Sequence, residues 1–272
     1  MNQDAAIPAM NTPDLDGIAT RFVQARRAGQ ALSDFPGSIP DDLDMAYQVQ
    51  DRAIAQWQDA VVGWKVGYIA AERRDHSGDD RLLGPIFAAA HQNATGSISE
   101  IRVFEGGFAA IEAEYVLLLD EDAPAGVQSW RPEDIDALAC RLFVGIEVAS
   151  SPLPTINALG PRVVVSDFGN NNGLIVGPEI PGWKALDETT LLAETFIEGE
   201  RVGSGGATLL PGGLRTAIAF ALQRSARRGR PLRKGDLIAT GNATGIHDIR
   251  VGQQAVIRFA GYADLSCRAV AV

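Results

Sequence analysis

The stretch Ile111-Glu-Ala-Glu-Tyr-Val-Leu-Leu-Leu119 contains two acidic residues within an otherwise apolar run. A run of this kind predicts a buried β-strand. Successive side chains of a strand alternate between its two faces, so Glu112 and Glu114 share one face. Charged side chains are rarely buried unless they are paired or hold a metal. Two like charges on one face of a buried strand therefore indicate a cation beside them.

Two further apolar runs also contain a charged residue. Glu147 lies in Phe143-Val-Gly-Ile-Glu-Val-Ala149, and Lys65 lies in Val61-Val-Gly-Trp-Lys-Val-Gly67. A structural alternative is that each acid pairs with an arginine on a sheet face, but the acidic runs themselves contain no basic residue. Carboxylate oxygens suit a hard divalent ion, so the three acids predict a site for Mg²⁺ or Mn²⁺.

Three carboxylates leave up to three positions of an octahedral ion open. A 2-oxo acid could fill two of them with its carboxylate and keto oxygens, and the metal would then stabilise an enolate. Lys65 has two interpretations beside such a site. Its amino group could extend to the edge of the sheet. Alternatively, it could support the enolate or move a proton, since burial lowers the pKa of a lysine.

Three residues at the ends of predicted strands are candidates for substrate binding. Asp167 follows Val163-Val-Val-Ser166 and precedes a loop rich in glycine and asparagine. Thr240 and Gly241 follow the strand-like segment 236–239. Such loops often hold binding residues, and their N–H groups can bind a substrate carboxylate. Asx-type or plain turns are the alternative in both places.

The order of predicted elements indicates an α+β fold in which a mixed sheet folds on itself. Helices are predicted through Ile18 and Phe22, through Val49 and Ala53, and at about 131–139 and 211–228, with a loop at 81–89. Strands are predicted at 61–68, 111–119, 142–149, 162–166, 172–177, 190–198, 236–240, 254–259 and 264–271. We place a domain boundary near residue 95, between an N-terminal helical and small α/β region (1–95) and a catalytic β-roll domain (96–272).

Composition restricts the class of protein. The 272 residues carry a net charge of −10, which argues against nucleic-acid binding. Two cysteines give neither a disulfide framework nor a zinc spacing. The sequence contains no apolar run of about 20 residues and no signal-peptide pattern at its start, so we predict a cytoplasmic protein without membrane segments.

A series of short motifs, taken in order, resembles the fumarylacetoacetate hydrolase superfamily. Within it, the chain is most similar to the branch of 2-oxopent-4-enoate hydratases and 2-oxo-3-enedioate decarboxylases, from about residue 42 onward. The motifs are Gly63-x-Lys-x-Gly67, Gly84-Pro-Ile-Phe87, Ile111-Glu-Ala-Glu-Tyr115, Gly145-Ile-Glu-Val148, Ser166-Asp167 and Leu232-Arg-Lys-Gly-Asp-Leu-Ile-Ala-Thr-Gly241.

The resemblance implies a barrel-like β-roll core with an N-terminal helical segment, and a homo-oligomer that acts on a small 2-oxo acid. It implies Mg²⁺ or Mn²⁺ on Glu112, Glu114 and Glu147, and it gives Lys65 the place of the active-site lysine. Asp79 falls near an acidic residue proposed to handle protons, although a surface acid is the alternative at this position. The chain departs from the family pattern at 209–213, where Leu-Leu-Pro-Gly-Gly replaces a segment that usually contains Gly-His-Pro.

The function that these features favour is hydration of a 2-hydroxy-2,4-dienoate to a 4-hydroxy-2-oxo acid, in the catabolism of aromatic or related compounds. Decarboxylation of a 2-oxo-3-enedioate needs the same electron sink, so the acids alone leave it open. Hydrolysis of an acylpyruvate is a third alternative, which usually needs a histidine and an acid to activate water. A binding subunit without catalytic activity is the alternative from outside enzymology.

Overall fold

The computed structural model describes residues 13–272. It begins with two helices, α1 (Leu15–Ala28) and α2 (Leu43–Gln56). Helix α1 starts after Asp14, whose side chain accepts a hydrogen bond from the Gly17 N–H, and it ends at Gly29 in the left-handed conformation. Both helices are therefore confirmed where the apolar spacing predicted them. No helix within residues 13–272 is long and apolar enough to cross a membrane.

Strands dominate the chain after these helices. In chain order they are β1 (Val61–Tyr68), β2 (Arg81–Phe87), β3 (His91–Asn93), β4 (Ser99–Val103), β5 (Phe108–Leu119), β6 (Cys140–Ser151), β7 (Asn171–Glu179), β8 (Leu192–Ile197), β9 (Glu200–Gly206), β10 (Leu237–Ala239), β11 (Ile246–Asp248), β12 (Gln254–Phe259) and β13 (Ala263–Ala271). The remaining α-helices are α3 (Ile156–Leu159), α4 (Pro161–Ser166) and α5 (Gly213–Arg227).

Within residues 13–272 the strands form two sheets. The first has eight strands in the order β2-β1-β10-β5-β6-β7-β3, with β11 also paired to β5. The second has five strands in the order β4-β13-β12-β8-β9. Both sheets mix parallel and antiparallel pairs, because β1 runs parallel to β10 and β4 runs parallel to β13. The first sheet curls into a half-barrel, which confirms the predicted α+β fold with a barrel-like core.

One face of the curled sheet is divided along the strands. One end carries a small apolar cluster of Ile86, Val116, Leu174, Val176, Leu237 and Ala239. On β5, Val116 follows Glu112 and Glu114 at alternate positions, so the acids and this cluster share one face. The larger hydrophobic core lies on the opposite side of the strand and includes Ile111, Ala113 and Tyr115. The face that carries the acids is therefore apolar beside them.

The predicted strand at 162–166 is wrong, because this segment forms helix α4. Its β-branched residues favour a strand by propensity. However, Pro161 occupies the first turn of the helix, where the missing N–H costs nothing. Val163 and Val165 are fully buried, and α4 packs against α2. Tertiary packing therefore overrides the local preference for a strand.

The predicted loop at 81–89 is also wrong, because residues 81–87 form the edge strand β2. Pro85 cannot donate a hydrogen bond to a neighbouring strand, but a proline is tolerated on an edge strand. The free edge of β2 is closed by helix α2. The Leu83 N–H donates to the Tyr47 hydroxyl, and the Gln50 amide donates to the Leu83 carbonyl.

The domain boundary near residue 95 stays a prediction. Residues 1–12 of its N-terminal region lie outside the described part of the chain. Strands β1 and β2 precede the boundary, yet they pair into the same sheet as β5 and β6, which follow it. The first sheet therefore draws its strands from both sides of residue 95.

Candidate active site

Three buried carboxylates meet on one face of the curled sheet. Glu112 and Glu114 come from β5, and Glu147 stands directly opposite Glu112 on the neighbouring strand β6. Each of the three side chains is at most 3% exposed. One carboxylate oxygen from each acid lies within 4.8 Å of the other two. Cross-strand pairing and alternation along β5 thus bring together the three acids that the sequence singled out.

The hydrogen bonding of these acids fits a metal ion. Glu112 Oε1, Glu114 Oε1 and Glu147 Oε2 are buried and have no hydrogen-bond partner in the described part of the chain. A buried polar atom without a partner is costly. Oxygens that share one ion at about 2.0–2.6 Å cannot be much more than 5 Å apart. The spacing of the carboxylates and the free oxygen on each acid therefore both fit a divalent cation with oxygen ligands.

The protein alone does not neutralise these charges. Burial, followed by the charge of Glu147, raises the pKa of Glu112 to about 7. The same two causes, with Glu112 as a further repulsive neighbour, raise the pKa of Glu114 well above its ordinary value. A cation would reverse this balance, because it favours the ionised form of each carboxylate.

Lys65 is the basic group in contact with the acids. Its Nζ lies 3.2 Å from Glu147 Oε1, and its side chain is 5% exposed. Burial acts to lower the pKa of Lys65, but the attraction of Glu147, Glu112 and Glu114 outweighs burial and raises the pKa. Lys65 is therefore buried beside the acids and does not extend to the sheet edge. The raised pKa is opposite in direction to the depressed pKa considered from sequence.

Two of the acids also accept a hydrogen bond from a residue at the end of a strand. Asn171 Nδ2 donates to Glu147 Oε1 at 3.1 Å. The Gly241 N–H donates to Glu114 Oε2 at 2.7 Å. Sequence reasoning missed Asn171. The available signal was its position in the loop that follows Asp167, a residue already singled out.

The loop after β10 adjoins both the acids and a cavity. The Thr240 hydroxyl donates a hydrogen bond to the Tyr115 carbonyl on β5, so this side chain binds the backbone of the sheet. Gly241 has a φ of +123°, which a residue with a Cβ rarely adopts. A cavity of about 220 Å³ opens beside Thr240, Gly241 and Asn242, and its wall also includes Arg81. The substrate-binding roles of Thr240 and Gly241 stay predictions. In the structure the Gly241 N–H donates to the Glu114 side chain.

The other two predicted residues contact partners other than the acids. Asp167 is 1% exposed and forms an ion pair with Arg26, with 2.5 Å between Arg26 Nε and Asp167 Oδ1. Asp79 is buried, and its Oδ2 lies 3.4 Å from Arg224 Nε. Burial raises the pKa of Asp79, against the opposing attraction of Arg224. No contact in residues 13–272 joins either aspartate to the three glutamates, and their assigned roles stay predictions.

Comparison with known proteins gives relatives of low identity and high coverage. No family model matches the chain. The 2-keto-4-pentenoate hydratase of Paraburkholderia phymatum is 24% identical over 232 residues, which cover 84% of this chain and 86% of that enzyme. The 2-keto-4-pentenoate hydratase of Burkholderia vietnamiensis is 24% identical over 229 residues, which cover 82% and 85%.

Solved structures match over nearly the whole chain. The 4-oxalocrotonate decarboxylase of Pseudomonas putida G7, complexed with magnesium and adipate, has a TM-score of 0.76 and 21% identity, with 94% of this chain and 97% of that chain covered. The fumarylpyruvate hydrolase of Pseudomonas aeruginosa, complexed with Mn²⁺ and pyruvate, has a TM-score of 0.55, 18% identity and coverages of 77% and 89%. The resemblance inferred from the ordered motifs is thereby confirmed, and the chain has the fold of the fumarylacetoacetate hydrolase superfamily.

Proposed function

We propose that the protein hydrates a 2-hydroxy-2,4-dienoate of the 2-oxopent-4-enoate type to a 4-hydroxy-2-oxo acid. The observation that carries this proposal is the cluster of Glu112, Glu114 and Glu147, with one free oxygen on each acid and Lys65 in contact. The names of the 2-keto-4-pentenoate hydratases support the same reaction and a small-molecule substrate. Ketonisation would move a proton along the conjugated system, and water would then add at C4.

The acids would hold Mg²⁺ or Mn²⁺, which supplies Lewis-acid polarisation of the C2 oxygen when it is bound. Lys65 contributes a fixed positive charge in a buried setting, where electrostatic stabilisation is strong. Hydrogen bonds from Gly241 and Asn171 hold the oxygens of Glu114 and Glu147 that would not bind the ion. Asp79 keeps its proposed role in proton handling, since burial raises the pKa of its carboxyl.

Arg81 favours decarboxylation of a 2-oxo-3-enedioate as a second candidate. Its side chain is 5% exposed and lines the cavity beside Gly241. Asp80 binds Nη1 at 2.7 Å and the Pro211 carbonyl accepts from Nη2, while five N–H donors are available on a guanidinium. The remaining donors could bind the second carboxylate of a dicarboxylic substrate. A substrate with one carboxylate gives Arg81 no comparable role.

An ultraviolet assay separates these candidates. The purified protein with Mg²⁺ is incubated with 2-hydroxy-2,4-dienoates and with 2-oxo-3-enedioates, and the products are identified by mass spectrometry. Hydration is expected as a gain of water on the monocarboxylic dienoate, whereas decarboxylation gives loss of CO₂ from the dioate. EDTA should abolish turnover, and Mg²⁺ or Mn²⁺ should restore it. Full turnover in a verified metal-free preparation would contradict the metal-dependent mechanism.

We further propose that the enzyme acts as a cytoplasmic homo-oligomer in the catabolism of aromatic or related compounds. Cys140 and Cys267 are free thiols, which fits a reducing compartment. Light scattering of the purified protein tests the oligomer. Growth of a deletion strain on aromatic carbon sources tests the catabolic role.

A further inference from the structure

Arg26 on helix α1 connects this helix to strand β6 and to the start of β7, where Asn171 lies. Its guanidinium is 3% exposed and donates from all three nitrogens. Nε and Nη2 hold the two oxygens of Asp167 at 2.5 and 3.0 Å. Nη2 also donates to the Ser150 carbonyl on β6 at 3.2 Å. Nη1 donates to the Asn171 carbonyl at 3.2 Å and to Asn172 Oδ1 at 3.1 Å.

These contacts hold both ends of an unusual turn. Phe168, Gly169 and Asn170 have φ values of +53°, +62° and +57°, so three consecutive residues are left-handed. Phe168 and Asn170 carry a Cβ, which disfavours this conformation, and such strain persists only where the surroundings enforce it. Asp167 lies immediately before the turn and Asn171 immediately after it. Arg26 therefore fixes the path of the chain across the turn.

The turn places the Asn171 side chain in contact with the acid cluster. Asn171 Nδ2 donates to Glu147 Oε1, the same oxygen that lies 3.2 Å from Lys65 Nζ. With Oε1 occupied, Glu147 presents Oε2, which is buried and has no hydrogen-bond partner in the described residues. The backbone of the turn is also held against β2, because a Cβ on Gly84 would lie 2.3 Å from the Phe168 carbonyl oxygen.

We propose that Arg26 and Asp167 are positioning residues for the metal site: they hold the left-handed turn so that Asn171 orients Glu147. This inference rests on the proposed function, because it takes Glu147 to be a metal ligand. Groups that orient a ligand typically change metal affinity by about 10- to 100-fold when they are removed. The role requires the planar guanidinium, which donates from three nitrogens at once, and a lysine ammonium cannot reproduce this geometry.

The test is calorimetric titration of the full-length protein with Mn²⁺ at a temperature where every variant is folded by circular dichroism. Arg26→Lys and Asn171→Ala should each weaken Mn²⁺ binding by about 10-fold. If Arg26 acts through Asn171, the double variant should bind Mn²⁺ no more weakly than Asn171→Ala alone. Multiplied losses in the double variant, or wild-type affinity in folded Arg26→Lys, would overturn the inference.

A matched control is Arg228→Lys. The Arg228 side chain is 6% exposed, pairs with Asp51 at 2.8 Å and lies over the Tyr47 ring, without contact to the acids. Its loss should lower the melting temperature and leave the Mn²⁺ affinity unchanged, which separates positioning from general stabilisation. If Arg26→Lys does not fold, Ser151→Ala removes the 2.6 Å hydrogen bond to Asp167, together with the one that Ser151 Oγ accepts from the Leu153 N–H, and should weaken Mn²⁺ binding by about 3-fold.

The possible failures are distinguishable. Absence of Mn²⁺ and Mg²⁺ binding in the wild-type protein would overturn the proposed function together with this inference. Metal binding in the wild-type protein with unchanged affinity in Arg26→Lys, or in Ser151→Ala if only that variant folds, would overturn this inference alone.

Discussion

The backbone N–H of Gly241 donates a 2.7 Å hydrogen bond to Glu114 Oε2. This bond ties the loop after β10 to the acidic strand β5 and leaves Glu114 Oε1 as the oxygen without a partner in the described residues. Gly241 is therefore part of the support of the acid cluster. Gly241 also lines the cavity, which is compatible with the substrate-binding role predicted from the sequence.

Gly241→Ala should weaken Mg²⁺ binding by about 10-fold, because it disturbs the group that orients Glu114. The φ of +123° is unfavourable for alanine, and the new Cβ would lie 3.0 Å from Leu210 Cδ2. Calorimetry measures the affinity. Gly252→Ala is the control, since Gly252 also has a positive φ but no atom within 4 Å of its Cβ position. Unchanged affinity together with a raised KM would assign Gly241 to the substrate alone.

The metal-free protein should lose stability as the pH rises. Burial and the charge of Glu147 raise the pKa of Glu112 from 4.5 to about 7 in the folded state. The folded state therefore favours the protonated carboxyl of Glu112. The contribution of this group to the free energy of unfolding is complete below pH 4.5 and is lost as the pH rises through about 7. At about 1.4 kcal/mol per pKa unit, the loss is on the order of 3 kcal/mol.

Chemical denaturation at pH 5 and pH 8 with EDTA measures this loss. Glu112→Gln should remove much of it, because the amide carries no charge at either pH. Saturating Mg²⁺ should stabilise the wild-type protein more at pH 8 than at pH 5, since binding requires the ionised acids. Equal stability of the metal-free protein at the two pH values would contradict the burial argument.

Lys65→Met should separate metal binding from turnover. The loss of a positive charge 3.2 Å from Glu147 removes repulsion toward a divalent ion, so Mg²⁺ affinity should be retained or increased. If Lys65 supports the developing enolate, kcat should fall by about 100-fold or more. Lys184→Met is a control, because Lys184 donates to the carbonyls of Asp136 and Leu138. A kcat near the wild-type value in Lys65→Met would exclude Lys65 from the mechanism.

Arg81→Met should change the preference between substrates. If Arg81 binds a second carboxylate, kcat/KM for a 2-oxo-3-enedioate should fall by about 10- to 100-fold, since a charged hydrogen bond is worth about 1.5–3 kcal/mol. The value for a monocarboxylic dienoate should change little. Equal losses on both substrates would mean that Arg81 supports the cavity wall and does not select between substrates with one and two carboxylates.

The acids could be predicted from sequence because a charge within an apolar strand is a conspicuous exception. Glu112, Glu114 and Glu147 need only the alternation of strand side chains to be placed on one face. Asn171 and Arg26 could not be predicted in the same way. An asparagine in a glycine-rich loop is typical of a turn, and an arginine near the end of an amphipathic helix is typical of a solvated surface.

The errors in the fold have the same origin in distant contacts. Val163 and Val165 favour a strand locally, but their burial against helix α2 makes the segment helical. Pro85 indicates a break in the chain, but the edge position of its strand tolerates it. In each case the deciding partner lies far away in the sequence, so a local pattern cannot reveal it.

The pairing of Arg26 with Asp167 indicates that the metal site assembles late during synthesis of the chain. These residues are 141 positions apart, and the loop that supports Glu114 comes about 70 positions later. A nascent chain that has emerged as far as β6 already contains all three glutamates, yet it lacks the turn, Asn171 and Gly241 that orient them. We therefore expect the ion site to be complete only after the segment that contains Gly241 has joined the sheet.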